Sequence, residues 1–175
     1  IDSAPEVEAL ARSVEDSGGV TVVPAFAGLG APYWDPEARG AVLGLTRGSG
    51  RGHLARATLE GIAHQVADVV EAMVADSGRP LAVLKVDGGA AANDLLMSMQ
   101  ADALGAEVSR SATLETTALG AGFLAGLAVG FWETPDEVSE RWRESGRFVP
   151  GSGDAERAAS REVWHKAVRR VATPA

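Results

Sequence analysis

The segment Val86-Asp87-Gly88-Gly89-Ala90-Ala91-Ala92-Asn93-Asp94 holds the residue types best able to do chemistry in this chain. Gly88 and Gly89 have no Cβ and tolerate positive φ, so the backbone can turn tightly and a ligand can lie against the main chain. A helix starting just after such a turn would put unpaired amides and the positive end of its dipole at one point. That suits an anion such as a nucleotide phosphate. The same residues also serve as a plain tight connection. They lack the third glycine of the dinucleotide fingerprint, and no Lys and Ser/Thr follow them as in a P-loop.

The elements around this turn follow from punctuation and periodicity. Leu81 to Val86 is short and apolar after Gly78 and Pro80, which predicts a strand. Leu95, Leu96, Met99 and Leu104 fall at helical spacing, so a helix is expected from Ala90 to Gly105. Upstream, the pattern predicts a helix over 6–14, strands over 20–26 and 41–45, and a Gly- and Pro-rich loop over 28–36. A long helix from His53 to Asp76 would carry an apolar stripe of Leu59, Ile62, Val66, Val69, Val70 and Met73. Downstream come a short strand at Val108, a helix over 117–129 and a helix over 135–142 begun by Thr134. A last helix is expected to be capped by Asp154 and to pack through Ala158, Val163, Trp164 and Val168. Strands alternating with helices indicate an α/β fold.

Other residues have chemical potential and simpler uses. His53, His64 and His165 are far apart and form no ligand spacing with carboxylates, which favours surface or capping roles. Tyr33 and Trp34 could form a platform for a sugar or close the edge of the core. Asp35 is of the right type for a catalytic base. Asp87 could meet a hydrated Mg²⁺ or cap the turn. Gly122 and Gly126 stand four apart, so they share a helix face and allow another backbone to come close.

The chain carries 24 acidic and 16 basic residues and a formal net charge of −8, which argues against nucleic acid as the main partner. It has no cysteine, so disulfides, thiolate metal sites and cysteine nucleophiles are excluded, and a cytoplasmic location is expected. Residues Thr117 to Trp132 are uncharged, but a bilayer span needs about 20 residues and this run contains four glycines. It reads as a helix buried inside the protein. The start, Ile1-Asp2-Ser3, has neither an initiator Met nor a signal peptide, which suggests a piece of a longer protein.

The stretch from Val22 through Ala27-Gly28-Leu29-Gly30-Ala31-Pro32-Tyr33-Trp34-Asp35-Pro36, then Ala38-Arg39-Gly40 and Gly44-Leu45-Thr46-Arg47-Gly48, resembles the FGGY family of carbohydrate kinases. Within that family it is similar to the branch that acts on glycerol. The likeness continues through Arg56-Ala57-Thr58-Leu59-Glu60, the diglycine segment, Ala118-Leu119-Gly120-Ala121-Gly122 and Gly130-Phe131-Trp132, in the family's order.

The resemblance implies a ribonuclease H-like α/β domain of the actin, hexokinase and Hsp70 ATPase type, one of two related domains that close over a nucleotide. Residues 1–175 would form most of the C-terminal domain, without its first strands and without the N-terminal domain. It further implies ATP or ADP with Mg²⁺, transfer of the γ-phosphoryl group to glycerol to give sn-glycerol 3-phosphate, and homo-oligomers. In the family the diglycine turn faces adenosine, so Gly89 and Asn93 would contact the nucleotide while Gly88 and Ala90 shape the turn. The helix with Gly122 and Gly126 would lie at the domain junction. Asp35 and Arg39 would be a local pair in a structural loop. The family's catalytic aspartate, glycerol contacts and phosphate hairpins lie upstream. No catalytic or metal residue is therefore assigned, and the piece alone is expected to be inactive. A xylulokinase-like kinase and a non-catalytic actin-like ATP-binding module are the alternatives.

Overall fold

A helix of 27 residues, α2 (Arg51–Ser77), is the element on which the others are arranged. The computed structural model describes residues 3–113 and 115–173; Ile1 and Asp2, which bear on the expectation about the N-terminus, lie outside them. At the start of α2 the Gly50 N–H donates to His53 Nδ1 at 3.0 Å, so His53 has the capping role expected. Gly78 ends it at φ 65, and its N–H donates to the Val74 carbonyl.

Before α2 come α1 (Glu6–Arg12), β1 (Thr21–Val23) and β2 (Ala41–Leu43). The two strands pair antiparallel, with Val22 opposite Val42. Both are shorter than their apolar runs. Pro24 removes a donor after β1, and Gly44 turns the chain at φ 77 after β2.

After α2 come β3 (Val83–Val86), a 3₁₀ turn (Gly89–Ala92), α3 (Asp94–Leu104) and β4 (Glu107–Ser111). Then follow α4 (Thr116–Ala128), α5 (Pro135–Ser139), β5 (Glu144–Phe148) and α6 (Asp154–Val171). The sheet order is β3-β4-β5, with β3 parallel and β5 antiparallel to β4. The parallel pair needs a crossover, and α3 supplies it.

The structure corrects several expectations. The buried face of α2 is Ala55, Leu59, Ala63 and Ala67, whereas Met73 is 63% exposed. A second face, Ala57, Gly61, His64 and Asp68, is buried as well, and there a Cβ at Gly61 would lie 2.2 Å from the Val22 carbonyl oxygen. β5 was not anticipated, because Glu144-Ser145-Gly146-Arg147-Phe148 has no alternating pattern. Its Arg147 pairs with Glu107 of β4 and with Glu144. Asp154 is the first helical residue of α6 rather than its cap, which is Gly153. Of the proposed α6 packing positions, Trp164 and Val168 are buried, but Val163 and Ala158 face solvent. No residue of α4 is buried, so the expectation of a helix inside the protein does not hold within this chain. No described helix is long and apolar enough to cross a membrane.

Three apolar clusters hold these layers, the smallest of them, Val20, Val22 and Ala57, fixing β1 on α2; two are larger. One joins α1, α2 and α3 to the sheet through Ala11, Leu59, Leu95, Leu96 and Val108. The other seats α6 on β1 and the 24–40 loop through Val23, Leu29, Trp164 and Val168.

Between α2 and α6 lies a buried polar cluster. Asp68 is 3% exposed and accepts from Arg161 at 2.5 Å, Trp164 Nε1 at 2.8 Å and the Tyr33 hydroxyl at 2.9 Å. Such a carboxylate is tolerated because its acceptor sites are filled. Burial, then the hydrogen bond to Asp68, pushes the Tyr33 pKa far above its ordinary value. His64 stacks on Trp164 at 5.5 Å and shares a hydrogen bond with the Ser160 hydroxyl at 3.0 Å. It is buried, not at the surface as expected.

Burial, reinforced by the Arg161 charge, lowers the His64 pKa from 6.5 to about 4. The folded state therefore refuses a proton that the unfolded chain accepts. The stability this provides is fully present above about pH 6.5 and is lost as pH falls toward about 4. The expected loss across that window is on the order of 2–3 kcal/mol. Denaturant unfolding at pH 7 and pH 4.5 should show a markedly smaller acid loss in His64→Gln than in the parent; equal losses would refute the assignment.

Candidate functional site

The turn after β3 is built residue by residue. Gly88 adopts φ 86 and ψ 170, a conformation open to glycine and strained for other residues. The chain then winds once as a 3₁₀ turn, with the Ala91 N–H donating to Gly88 O and the Asn93 N–H to Ala90 O. Asn93 leaves the turn extended at φ −84 and ψ 108 and accepts from the Leu96 N–H at 2.8 Å through Oδ1. It is the N-cap of α3, so the α-helix starts at Asp94 and not at Ala90. Alanines are strong helix formers, which is why the pattern alone extends the helix too far upstream.

The amides at this helix end are not unpaired. Glu8 of α1 accepts the Asp94 N–H at 3.1 Å and the Leu95 N–H at 3.3 Å, one on each carboxylate oxygen. With Asn93 on Leu96, three first-turn amides are satisfied. The anion at the positive helix end is thus a side chain of the protein itself, which overturns the expectation of a free phosphate site there.

What the turn offers instead is a surface. A Cβ at Gly88 or Gly89 would meet nothing within 4 Å, so packing within the chain does not require glycine side-chain size at either position. Gly89, Ala90 and Asn93 line a groove of about 470 Å³ together with Pro5, Val7, Leu59, Ile62 and Leu96. Its walls are largely apolar, and with Oδ1 engaged the Asn93 side chain retains its amide nitrogen as a donor. A planar apolar ring with polar edges fits such a groove better than a phosphate does. Gly88 shapes the turn and is not among the lining residues.

The remaining candidates are placed elsewhere. Asp87 accepts a short hydrogen bond from the Thr116 hydroxyl and so ties the turn to the start of α4. Asp35 and Arg39 do not pair with each other. Asp35 accepts the Glu37 and Ala38 N–H groups and that of Thr173, while Arg39 donates to the Pro36 and Ala38 carbonyls. These hydrogen bonds, that from the Thr173 amide foremost, lower the Asp35 pKa. Tyr33 closes the core edge, whereas Trp34, at φ 52, is 77% exposed.

Asp68, Glu71 and His165 come within 4.8 Å of one another, close enough to suggest a cation site that sequence spacing did not reveal. The Arg161 guanidinium fills that position, 2.5 Å from Asp68, 2.9 Å from Glu71 and 3.2 Å from His165. On α4, a Cβ at Gly126 would lie 2.2 Å from the Trp132 ring, while Gly122 faces open space. Only Gly126 is thus required by packing within the chain.

Residues 2–129 match the model of the FGGY family of carbohydrate kinases, C-terminal domain. A glycerol kinase of Dechloromonas aromatica (strain RCB) is 58% identical over 170 residues, 97% of this chain and 34% of that protein. One of Herminiimonas arsenicoxydans is 56% identical over 171 residues, 98% of this chain and 34% of that protein. The chain spans about a third of the length of these relatives. The structure of Plasmodium falciparum glycerol kinase with ADP superposes with a TM-score of 0.88 at 37% identity, over 100% of this chain and 35% of that one. A ligand-bound xylulose kinase from Lactobacillus acidophilus gives a TM-score of 0.77 at 23% identity, over 94% of this chain and 33% of that one; it shares the fold. The mixed α/β architecture agrees with the actin and hexokinase type of ATPase domain, and the chain belongs to the FGGY family of carbohydrate kinases.

Proposed function

We propose that this chain is most of the nucleotide-binding domain of an ATP-dependent glycerol kinase, which transfers the γ-phosphoryl group of ATP to glycerol and yields sn-glycerol 3-phosphate. Its share is the wall against adenosine and part of the closing hinge. The observation that carries this reading is the division at the diglycine turn: Glu8 occupies the helix amides, and an apolar groove remains beside Gly89 and Asn93. Such a place receives the nucleoside end of a nucleotide. The glycerol kinase relatives and the ADP complex of the Plasmodium protein support the same nucleotide and substrate.

Phosphoryl transfer needs in-line placement of the hydroxyl, a base for its proton, and Mg²⁺ with donors around the γ-phosphate. Gly88, Gly89, Ala90 and Asn93 supply none of these; they hold the nucleotide at the far end from the reacting phosphorus. The rest of the kinase would bring the remainder, with Mg²⁺ carried on the phosphates. The exposed apolar side chains Leu124 of α4 and Phe131 just after it suit a face that packs on that remainder.

The isolated chain is expected to show no ATP-dependent phosphorylation of glycerol, while the full-length kinase that contains it turns over. Robust turnover by the chain alone would refute the division of labour. In the full-length kinase, Gly89→Val should weaken ADP binding at least tenfold by calorimetry, because a side chain would project toward the ligand. Unchanged affinity would remove Gly89 from the site.

The two glycines of α4 give a paired test. Gly126→Ala should destabilise the fold by about 1–3 kcal/mol by pressing on Trp132. Gly122→Val should leave the stability of this domain within about 0.5 kcal/mol yet reduce kcat of the full-length kinase. Equal stability losses from both, or full activity in Gly122→Val, would count against a junction role.

A further inference from the structure

We propose that Glu8 and Arg110 are positioning residues for nucleotide recognition, gripping the Gly89 to Asp94 turn from two sides so that Asn93 is presented in one orientation; this rests on the nucleotide site proposed above. Glu8 reaches the turn from α1 and takes the Asp94 and Leu95 N–H groups. Arg110 reaches it from β4. One guanidinium nitrogen of Arg110 donates to the Ala91 carbonyl at 2.9 Å and to the Asp94 carboxylate at 2.6 Å.

Asp94 is therefore held at both ends, its amide by a carboxylate and its carboxylate by a guanidinium. Asn93 lies between the two anchored points, Ala91 O and Asp94. Its backbone cannot rotate without breaking one of these charge-assisted hydrogen bonds.

Arg110 is shaped for this reach. Its guanidinium carbon lies 5.3 Å from the centre of the Phe148 ring, which sets its direction. On the facing strand, Gly146 leaves the space it needs: a Cβ there would come within 3.1 Å of the Arg110 terminal nitrogen. Arg110 pairs with Val86 and Gly146 through the backbone, and its Nε donates to the Ser145 hydroxyl of β5 at 3.4 Å, which leaves the terminal nitrogens for the turn. Glu8 is fixed in turn by Arg12 at 2.7 Å, one helical turn away.

Glu8 also lines the groove and Arg110 does not, so Arg110 is the residue that acts through the turn alone; neither takes part in the chemistry of transfer. Their effect is on the geometry of the groove, as expected of groups that support a binding shell. Loss of either should cost nucleotide affinity without touching the glycerol side of the enzyme.

The test uses the full-length kinase with Arg110→Met, Glu8→Ala and Glu8→Gln, reading the ADP Kd by calorimetry together with KM for ATP and for glycerol. Arg110→Met and Glu8→Ala should each raise the ADP Kd and the ATP KM roughly tenfold, the size of one charge-assisted hydrogen bond. The glycerol KM should stay unchanged. Glu8→Gln keeps an acceptor for one amide and should recover part of the loss. If Gly89→Val weakens ADP binding but Arg110→Met and Glu8→Ala do not, the positioning role falls and the nucleotide site stands. If Gly89→Val is also without effect, the site itself falls. A parallel rise in glycerol KM would mark general damage to the fold and overturn the assignment. Should Arg110→Met fail to fold, Arg110→Lys and Asp94→Asn carry the same comparison, with the same outcomes deciding it.

Discussion

Backbone reaches backbone on α2, and that close approach is the constraint on which the other elements depend. Gly61 lies under the Val22 carbonyl, and Gly52 lies against Leu10, Ser13 and Val14 of the α1 end, each with no room for a Cβ. Alanines at 55, 63 and 67 continue the same low profile along the helix. Large side chains at these positions would hold β1 and α1 away, because a packed interior cannot absorb even a methyl group without displacement. The position of α1 then determines where Glu8 points, and Glu8 in turn closes the amide end of α3. The packing condition at Gly52 of α2 thereby reaches the turn after β3 through a single carboxylate.

The face of α2 that carries Gly61 also carries Asp68, two turns further on, and there it solves a different problem. Asp68 faces α6 with almost no solvent contact, and it is compensated by Arg161, Trp164 and Tyr33 together. Three partners from two segments of chain must be in place at once, so the cluster specifies how α6 and the 24–40 loop seat on α2 more than it adds to net stability. Arg161 also explains why a carboxylate, a second carboxylate and a histidine can gather: the guanidinium is a cation they share.

The sequence made much of this legible where local rules act without competition. The β3 run, the diglycine, the Gly105 stop after α3 and the Thr134 cap of α5 were all placed by punctuation, since Gly and the cap residues act within a few residues of themselves. What escaped depended on contacts distant in sequence. Glu8 and Asp94 are 86 positions apart, and Asp68 and Arg161 are 93 apart. A polar strand such as β5 is held by pairing with β4 and by Arg147, neither of which leaves a periodic trace. α4 shows the reverse error: an uncharged helix reads as buried, yet what covers an apolar face need not belong to the same 175 residues.

The Glu8 carboxylate also acts as a resident competitor. It is tethered on α1 at contact distance, so its local concentration at the α3 amides far exceeds that of any dissolved anion. A phosphate arriving there would have to displace it and leave it without its two donors, which is costly for a charge. In the proposed site a polyphosphate-bearing molecule would thereby be denied one of two ways of lying in the groove. For the nucleotide site proposed above, the direction of entry would be set by filling the wrong end with the protein's own charge, before any group on the transfer side takes part.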